Sequence, residues 1–112
     1  MPRLNNGLNT MKEYDVVVIG SGAGMIVVNE ALASGLRVAL VDKGPVGGTC
    51  LNLGCIPSKM LTAAADRVME IREAARLGIQ SRIEDIDFRS IMERMRNTVG
   101  SSSRQLRSQI LN

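Results

Sequence analysis

An α/β fold follows from three features of the chain. Tyr14-Asp15-Val16-Val17-Val18-Ile19 is rich in β-branched residues and ends at Gly20, which suits a strand buried on both faces of a parallel sheet. A helical stretch then runs to Ser34, with Gly35 placed as its C′ residue. Leu36-Arg37-Val38-Ala39-Leu40-Val41 reads as a second strand ending at Asp42, so the three pieces form a βαβ unit.

The first strand leads into Gly20-Ser21-Gly22-Ala23-Gly24-Met25, a glycine-rich turn that opens the helix. Such a turn lets the backbone approach a pyrophosphate, whose charge sits on the helix N-terminus. Alone it signals no more than a tight βα turn. Asp42, 22 positions after Gly20, adds an acid where an adenosine ribose can be held. One position departs from the pattern. The last small residue of G-x-G-x-x-G/A, needed for close packing of helix on strand, is Met25, so the helix is expected to stand slightly further off; Gly24 lies one residue early.

After Lys43-Gly44-Pro45-Val46 comes GGTCLNLGCIPSK, residues 47 to 59, which holds both cysteines. Cys50 and Cys55 are too far apart on a regular helix for a disulfide, since five residues rise roughly 7.5 Å. A pairing therefore requires an irregular turn. Gly54 permits one, and Pro57 interrupts helical hydrogen bonding just beyond it. Inert buried thiols and a redox pair both remain open on the cysteines alone. Structural zinc wants four ligands and the chain has no His, so no metal site is expected. Lys59, four positions after Cys55, is a helix-face neighbour whose cation would lower a thiol pKa; elsewhere it would pass as an ordinary exposed lysine.

From Ser58 to Leu77 the residues Leu61, Ala64, Ala65, Val68, Ile71 and Ala75 recur at helical spacing, closed by Gly78. Asp87 reads as the N-cap of a second long helix carrying Phe88, Ile91, Met92, Met95, Val99, Leu106 and Ile110, with Gly100 the point at which it could break. Both are read as packing elements. Five arginines follow position 88 and the net charge is +3, but Tyr14 and Phe88 are the only aromatics, too few to stack on bases. Nucleic acid is not expected as a partner. No apolar run approaches 18 residues, so no membrane association is expected, and the first dozen residues lack the apolar core of a secretory signal. A cytoplasmic setting is expected, with residues 1–12 as a loose extension.

VVIGSGAGM, VALVDKG and GGTCLNLGCIPSK together resemble the start of the FAD-dependent pyridine nucleotide-disulfide oxidoreductases, most closely their dihydrolipoamide dehydrogenase branch. The resemblance runs from about residue 14 to 77 and more loosely beyond. It implies a Rossmann-like, doubly wound FAD-binding domain followed by long helices, of which residues 13–112 are the N-terminal portion, the NAD-binding and interface domains being absent. It implies that Gly20, Ser21, Gly22 and Gly24 line the FAD pyrophosphate, that Gly48 and Thr49 continue the contact, and that Asp42 and Lys43 lie near the adenosine. Asp42 stands where the family usually has Glu, one methylene longer. Cys55 is then the thiolate against the flavin, Cys50 the sulfur that exchanges with substrate, and Lys59 lies beside the isoalloxazine ring. The activity implied is electron transfer between dihydrolipoamide and NAD(P), in a homodimer when complete, with a small-molecule or lipoyl disulfide as substrate. Mercuric ion or another disulfide as substrate, or a non-catalytic FAD-binding piece, are the alternatives. The unpaired sheet edges and the lack of a His to act as acid/base predict no turnover by these residues alone.

Overall fold

The computed structural model describes residues 12–111, so the expected extension lies outside the described residues except for Lys12. Its elements are β1 (Val16–Ile19), α1 (Gly24–Ala33), β2 (Val38–Val41), α2 (Gly48–Asn52), α3 (Cys55–Glu73), a 3-10 turn (Ala74–Leu77) and α4 (Phe88–Leu111). The strands pair in parallel, Val16 opposite Val38 and Ile19 opposite Val41. The Gly20 amide extends the ladder by donating to Val41 O at 2.8 Å. At the other end the Asp15 carboxylate accepts from the Arg37 amide at 2.8 Å and from its guanidinium at 3.2 Å. That guanidinium holds the Asp15 carboxyl below its ordinary value. Both side chains are exposed, so the pair fixes register more than it adds stability.

One face of the sheet is covered. Val18 points into a small core with Val28 and Ala31 of α1. The expectation of burial on both faces fails, because no described element covers the other side: Val17 is 60% and Ile19 85% exposed. The strand alternates in and out as a half-buried strand does. The helix end is as expected. Gly35, at φ 75°, donates to Leu32 O and Leu36 donates to Ala31 O, both at 3.0 Å, which is a Schellman closure.

The first long helix starts earlier than its apolar spacing suggests. Pro57 falls in the first turn of α3, where amides have no intrahelical partner, so it begins the helix rather than interrupting it. At its far end the last turn tightens to 3-10 and Gly78, at φ 81°, closes it. Asp87 caps α4 as expected, accepting from the Ser90 amide at 3.0 Å and the Ser90 hydroxyl at 2.6 Å, which holds its carboxyl below the ordinary value. No break occurs at Gly100, since α4 runs unbroken through it. The helices pack with Leu61, Ala64 and Val68 on α3 and Ile91, Met92 and Met95 on α4 half-buried. Ala65, Ile71, Ala75 and Phe88, expected in the same stripes, are exposed, because the two helices meet along only part of their length.

Candidate functional site

The glycine-rich turn after β1 is held from below by its one buried side chain. Ser21 is 1% exposed. Its amide donates to Asp42 Oδ2 at 2.8 Å, its hydroxyl donates to the same oxygen, and that hydroxyl accepts from the Gly47 amide at 2.9 Å. The Gly44 amide donates to Asp42 Oδ1 at 2.9 Å. The Ser21 hydroxyl first, then the Gly44 and Ser21 amides, keep the Asp42 carboxyl below its ordinary value. One acid at the end of β2 thus ties two loops together.

Close packing of helix on strand falls on Gly24, not on the Met25 position. A Cβ at Gly24 would stand 2.6 Å from Val18 Cγ1. The expected stand-off therefore does not arise. Met25 is half-buried on another side, where with Leu106 and Ile110 it lines a separate cavity of about 540 Å³.

The cysteine segment is built on the same kind of contact. Gly48, at φ 64°, lies so close to the first turn that a Cβ there would meet Gly22 Cα at 2.6 Å. Glycine at position 48 is what lets the two backbones touch. α2 carries Cys50, and Gly54 then folds the chain back: a Cβ there would meet Thr49 O at 3.1 Å and Cys50 Cα at 3.5 Å. This is the irregular turn the spacing demanded, and it sets Cys55 at the start of α3 beside Cys50. Both thiols are free and exposed. The Cys55 side chain, followed by partial desolvation, pushes the Cys50 thiol above its ordinary value, while the Lys59 charge pulls weakly the other way. Lys59 thus lowers the Cys50 thiol as a nearby cation should, but its sulfur neighbour outweighs the cation.

Two polar residues that the sequence did not single out brace this segment. The Asn52 side-chain amide donates to Gly48 O at 2.9 Å and Val46 O at 3.2 Å, and the buried Ser103 hydroxyl of α4 donates to Val46 O at 2.6 Å. For Ser103 a signal existed, since it lies four residues after Val99 and three before Leu106 on the apolar face of α4. Asn52 had none.

A groove of about 870 Å³ unites the glycine turn and the cysteine segment. Gly20, Ser21, Gly22, Gly24, Asp42, Gly48, Thr49 and Cys50 all line it. Lys43 does not; it lines a neighbouring cavity of about 1040 Å³ with Arg96, Arg104 and Arg107, on the other side of Asp42. Cys55 and Lys59 stand outside the groove, exposed on α3. The groove fits the pyrophosphate of a dinucleotide. Gly20 at φ 93° and the Gly22/Gly48 contact leave bare backbone on its walls, beside the N-terminal end of α1 at Gly24.

A parallel βαβ unit whose phosphate turn touches a paired-cysteine segment defines a nucleotide-binding redox class. The comparisons are more specific. The family described as Pyridine nucleotide-disulphide oxidoreductase matches residues 14–109, and the chain belongs to it. It is 41% identical over 85 residues to a mycothione reductase of Mycobacterium tuberculosis (strain CDC 1551 / Oshkosh), covering 76% of this chain and 18% of that protein. A dihydrolipoyl dehydrogenase of Chlamydia pneumoniae is 44% identical over 95 residues, 84% of this chain and 20% of its own length. That of Bacillus subtilis (strain 168) is 39% identical over 88 residues, 78% and 19% of the two. The chain thus spans about a fifth of the curated relatives it matches.

Proposed function

We propose that the chain is the N-terminal part of an FAD-dependent oxidoreductase that passes electrons between dihydrolipoamide and NAD through Cys50 and Cys55. The observation that carries this reading is the placement of Cys50 on the wall of a glycine-lined groove with Cys55 folded beside it by Gly54. Gly20, Ser21, Gly22, Gly24 and Gly48 hold the FAD pyrophosphate through backbone amides, and Thr49 extends the contact. Asp42 Oδ1, which accepts one amide, has a lone pair left for a ribose hydroxyl, and Lys43 flanks the adenosine. Bound FAD supplies the two-electron carrier that links the protein dithiol to the nicotinamide.

The chain's own chemistry is thiol–disulfide exchange. One thiolate of dihydrolipoamide attacks the Cys50 sulfur of the oxidised pair, breaking the bond to Cys55 and forming a mixed disulfide. The second substrate thiolate displaces Cys50, so the substrate leaves as its cyclic disulfide and both protein sulfurs are reduced. NAD receives the electron pair as hydride, and one proton is released. Both thiols are exposed, and on this reading Cys50 takes the exchanging role and Cys55 the flavin-side one. Lys59 balances charge at the ring. The nicotinamide and interface domains, the homodimer and a cytoplasmic setting belong to the full-length protein on this reading. Among the described residues no helix is long and apolar enough to cross a membrane.

Similarity to a mycothione reductase favours a second reading, with electrons flowing from nicotinamide to a small-molecule disulfide. The full-length protein, loaded with FAD and reduced anaerobically by two electrons, should show a long-wavelength thiolate-to-flavin band. Cys50→Ser should keep that band and Cys55→Ser abolish it; the reverse would swap the sulfurs. Bound flavin with no band in the parent protein would leave only a non-catalytic FAD-binding piece. Turnover with dihydrolipoamide and NAD, against turnover with mycothiol disulfide, separates the two substrates.

A further inference from the structure

Ser21 is a phosphate-turn residue by position and lines the groove, yet its side chain is fully buried. Its hydroxyl uses both of its hydrogen-bonding capacities, donating to Asp42 Oδ2 and accepting from the Gly47 amide. Those two partners belong to different parts of the site. Asp42 ends β2 at the ribose side, whereas Gly47 immediately precedes α2, the helix that carries Cys50. Gly47 sits at φ 113° and has no side chain to make a cap of its own, so its amide depends on a partner from outside the segment. No other described side chain accepts from it. The bond spans 26 positions of sequence; Asn52 braces the carbonyls on either side of Gly47 but leaves its amide to Ser21.

We propose that Ser21 is a positioning residue whose hydroxyl locks the Asp42 rotamer and the start of the cysteine helix to each other, setting the ribose side and the thiol side of the groove in one register. The lock rests on the dinucleotide reading only for what the groove binds; the bonds themselves need no ligand. A serine that merely filled space would leave both partners unchanged when replaced by alanine, which occupies nearly the same volume. A serine that bonds them would not.

The test uses the full chain without flavin, so its failure is distinct from a failure to bind FAD. In Ser21→Ala the Gly47 amide should exchange its hydrogen roughly three- to tenfold faster, the worth of one neutral hydrogen bond. The Asp42 carboxyl, followed by carbon-13 NMR, should titrate at higher pH than in the parent. Lys43 of the same loop and Arg96, Arg104 and Arg107 of α4 border the cavity beside Asp42 in every variant, so their charges do not account for the change. Ser21→Thr, which keeps the hydroxyl, should restore both readouts. An unchanged Gly47 amide and unchanged Asp42 titration in Ser21→Ala would overturn the proposal. Should that variant unfold by circular dichroism, Asp42→Asn keeps Ser21 and removes the charge that orients it: Gly47 protection should fall, and full protection there would overturn the lock equally.

Discussion

The two halves of the chain are held by different means. From Gly20 to Cys55, structure comes from backbone touching backbone and from side chains bonding loops 21 to 26 positions away. Beyond residue 60, apart from the Ser103 bond to Val46 O, it comes from local devices: a first-turn cap at Asp87, i,i+3 ion pairs such as Arg67 with Glu70 and Arg76 with Glu73, and an apolar stripe. Those ion pairs are exposed and contribute little. The contrast teaches where substitutions will hurt. At Gly24 and Gly48 a single methyl group has nowhere to go, whereas at Gly78 and Gly100 it meets open space or a flexible side chain.

Two glycines with similar backbone angles make the sharpest test. Gly48 at φ 64° has Gly22 Cα 2.6 Å from where a Cβ would stand, while Gly78 at φ 81° has nothing within 4 Å. Gly48→Ala should therefore combine left-handed strain with a clash against backbone, about 2–4 kcal/mol, and should abolish FAD retention. Gly78→Ala should bear the strain alone, about 1–2 kcal/mol, with flavin affinity unchanged. Denaturant unfolding and flavin titration of the full-length protein read the two terms separately. Equal losses in both variants would erase the distinction between the halves.

Gly24 comes next. A methyl there meets the Val18 side chain rather than backbone, so Gly24→Ala should destabilise by about 1–3 kcal/mol as β1 and α1 move apart. Met25→Ala should leave the helix-on-strand spacing alone and act only on the cavity shared with Leu106 and Ile110. If unfolding experiments show Met25→Gly tightening the protein while Gly24→Ala is neutral, the close contact has been placed on the wrong residue.

Much of the groove could be read before any coordinates. The strand–turn–helix order, the acid at position 42, the closure at Gly35 and the demand for an irregular turn at Gly54 are local signals, each carried by residue type and spacing. What the sequence hid depends on through-space partners. Nothing local says that Ser21 turns inward or that Asn52 and Ser103 meet at Val46 O. The fingerprint put the tight packing one residue too late because it assumes a spacing between turn and helix that Gly24 here shortens. Val17 and Ile19 read as buried because apolar strand residues usually are; no described element reaches that face. At Gly100 the propensity cost of glycine suggested a break, and the packing of Val99, Ser103 and Leu106 along one face overrides it.

Acid should separate the halves in a smaller way. Asp42 titrates below its ordinary value of 3.8 because folded hydrogen bonds favour its charged form. A group depressed on folding contributes above its unfolded value and loses that contribution as pH falls through its folded value. The Ser21–Asp42 contact should thus be intact at neutral pH and fail only below about pH 4. Asp42→Ala should already weaken flavin retention at pH 7, and flavin release that is insensitive to this substitution would remove Asp42 from the site. Asp87, depressed in the same way, should let the first turn of α4 fray over the same range without touching the groove.

The mildest change should carry the opposite sign. Gly100 lies inside α4 with a helical backbone, so it has no need of glycine's freedom, and its unfolded chain loses more entropy on ordering than alanine's would. A Cβ there meets only Arg104 Nη1, at 3.2 Å, the far end of a long exposed side chain that can move aside. No backbone approaches it, in contrast to Gly48. Gly100→Ala should therefore raise stability by about 0.5–1 kcal/mol, seen as a higher denaturant midpoint with an unchanged slope. Cys50 alkylation should stay at the parental rate, since α4 reaches the cysteine segment through Ser103 and not through Gly100. A loss of stability in this variant would mean that α4 needs its glycine for close packing after all, and the second half of the chain would then obey the same rule as the first.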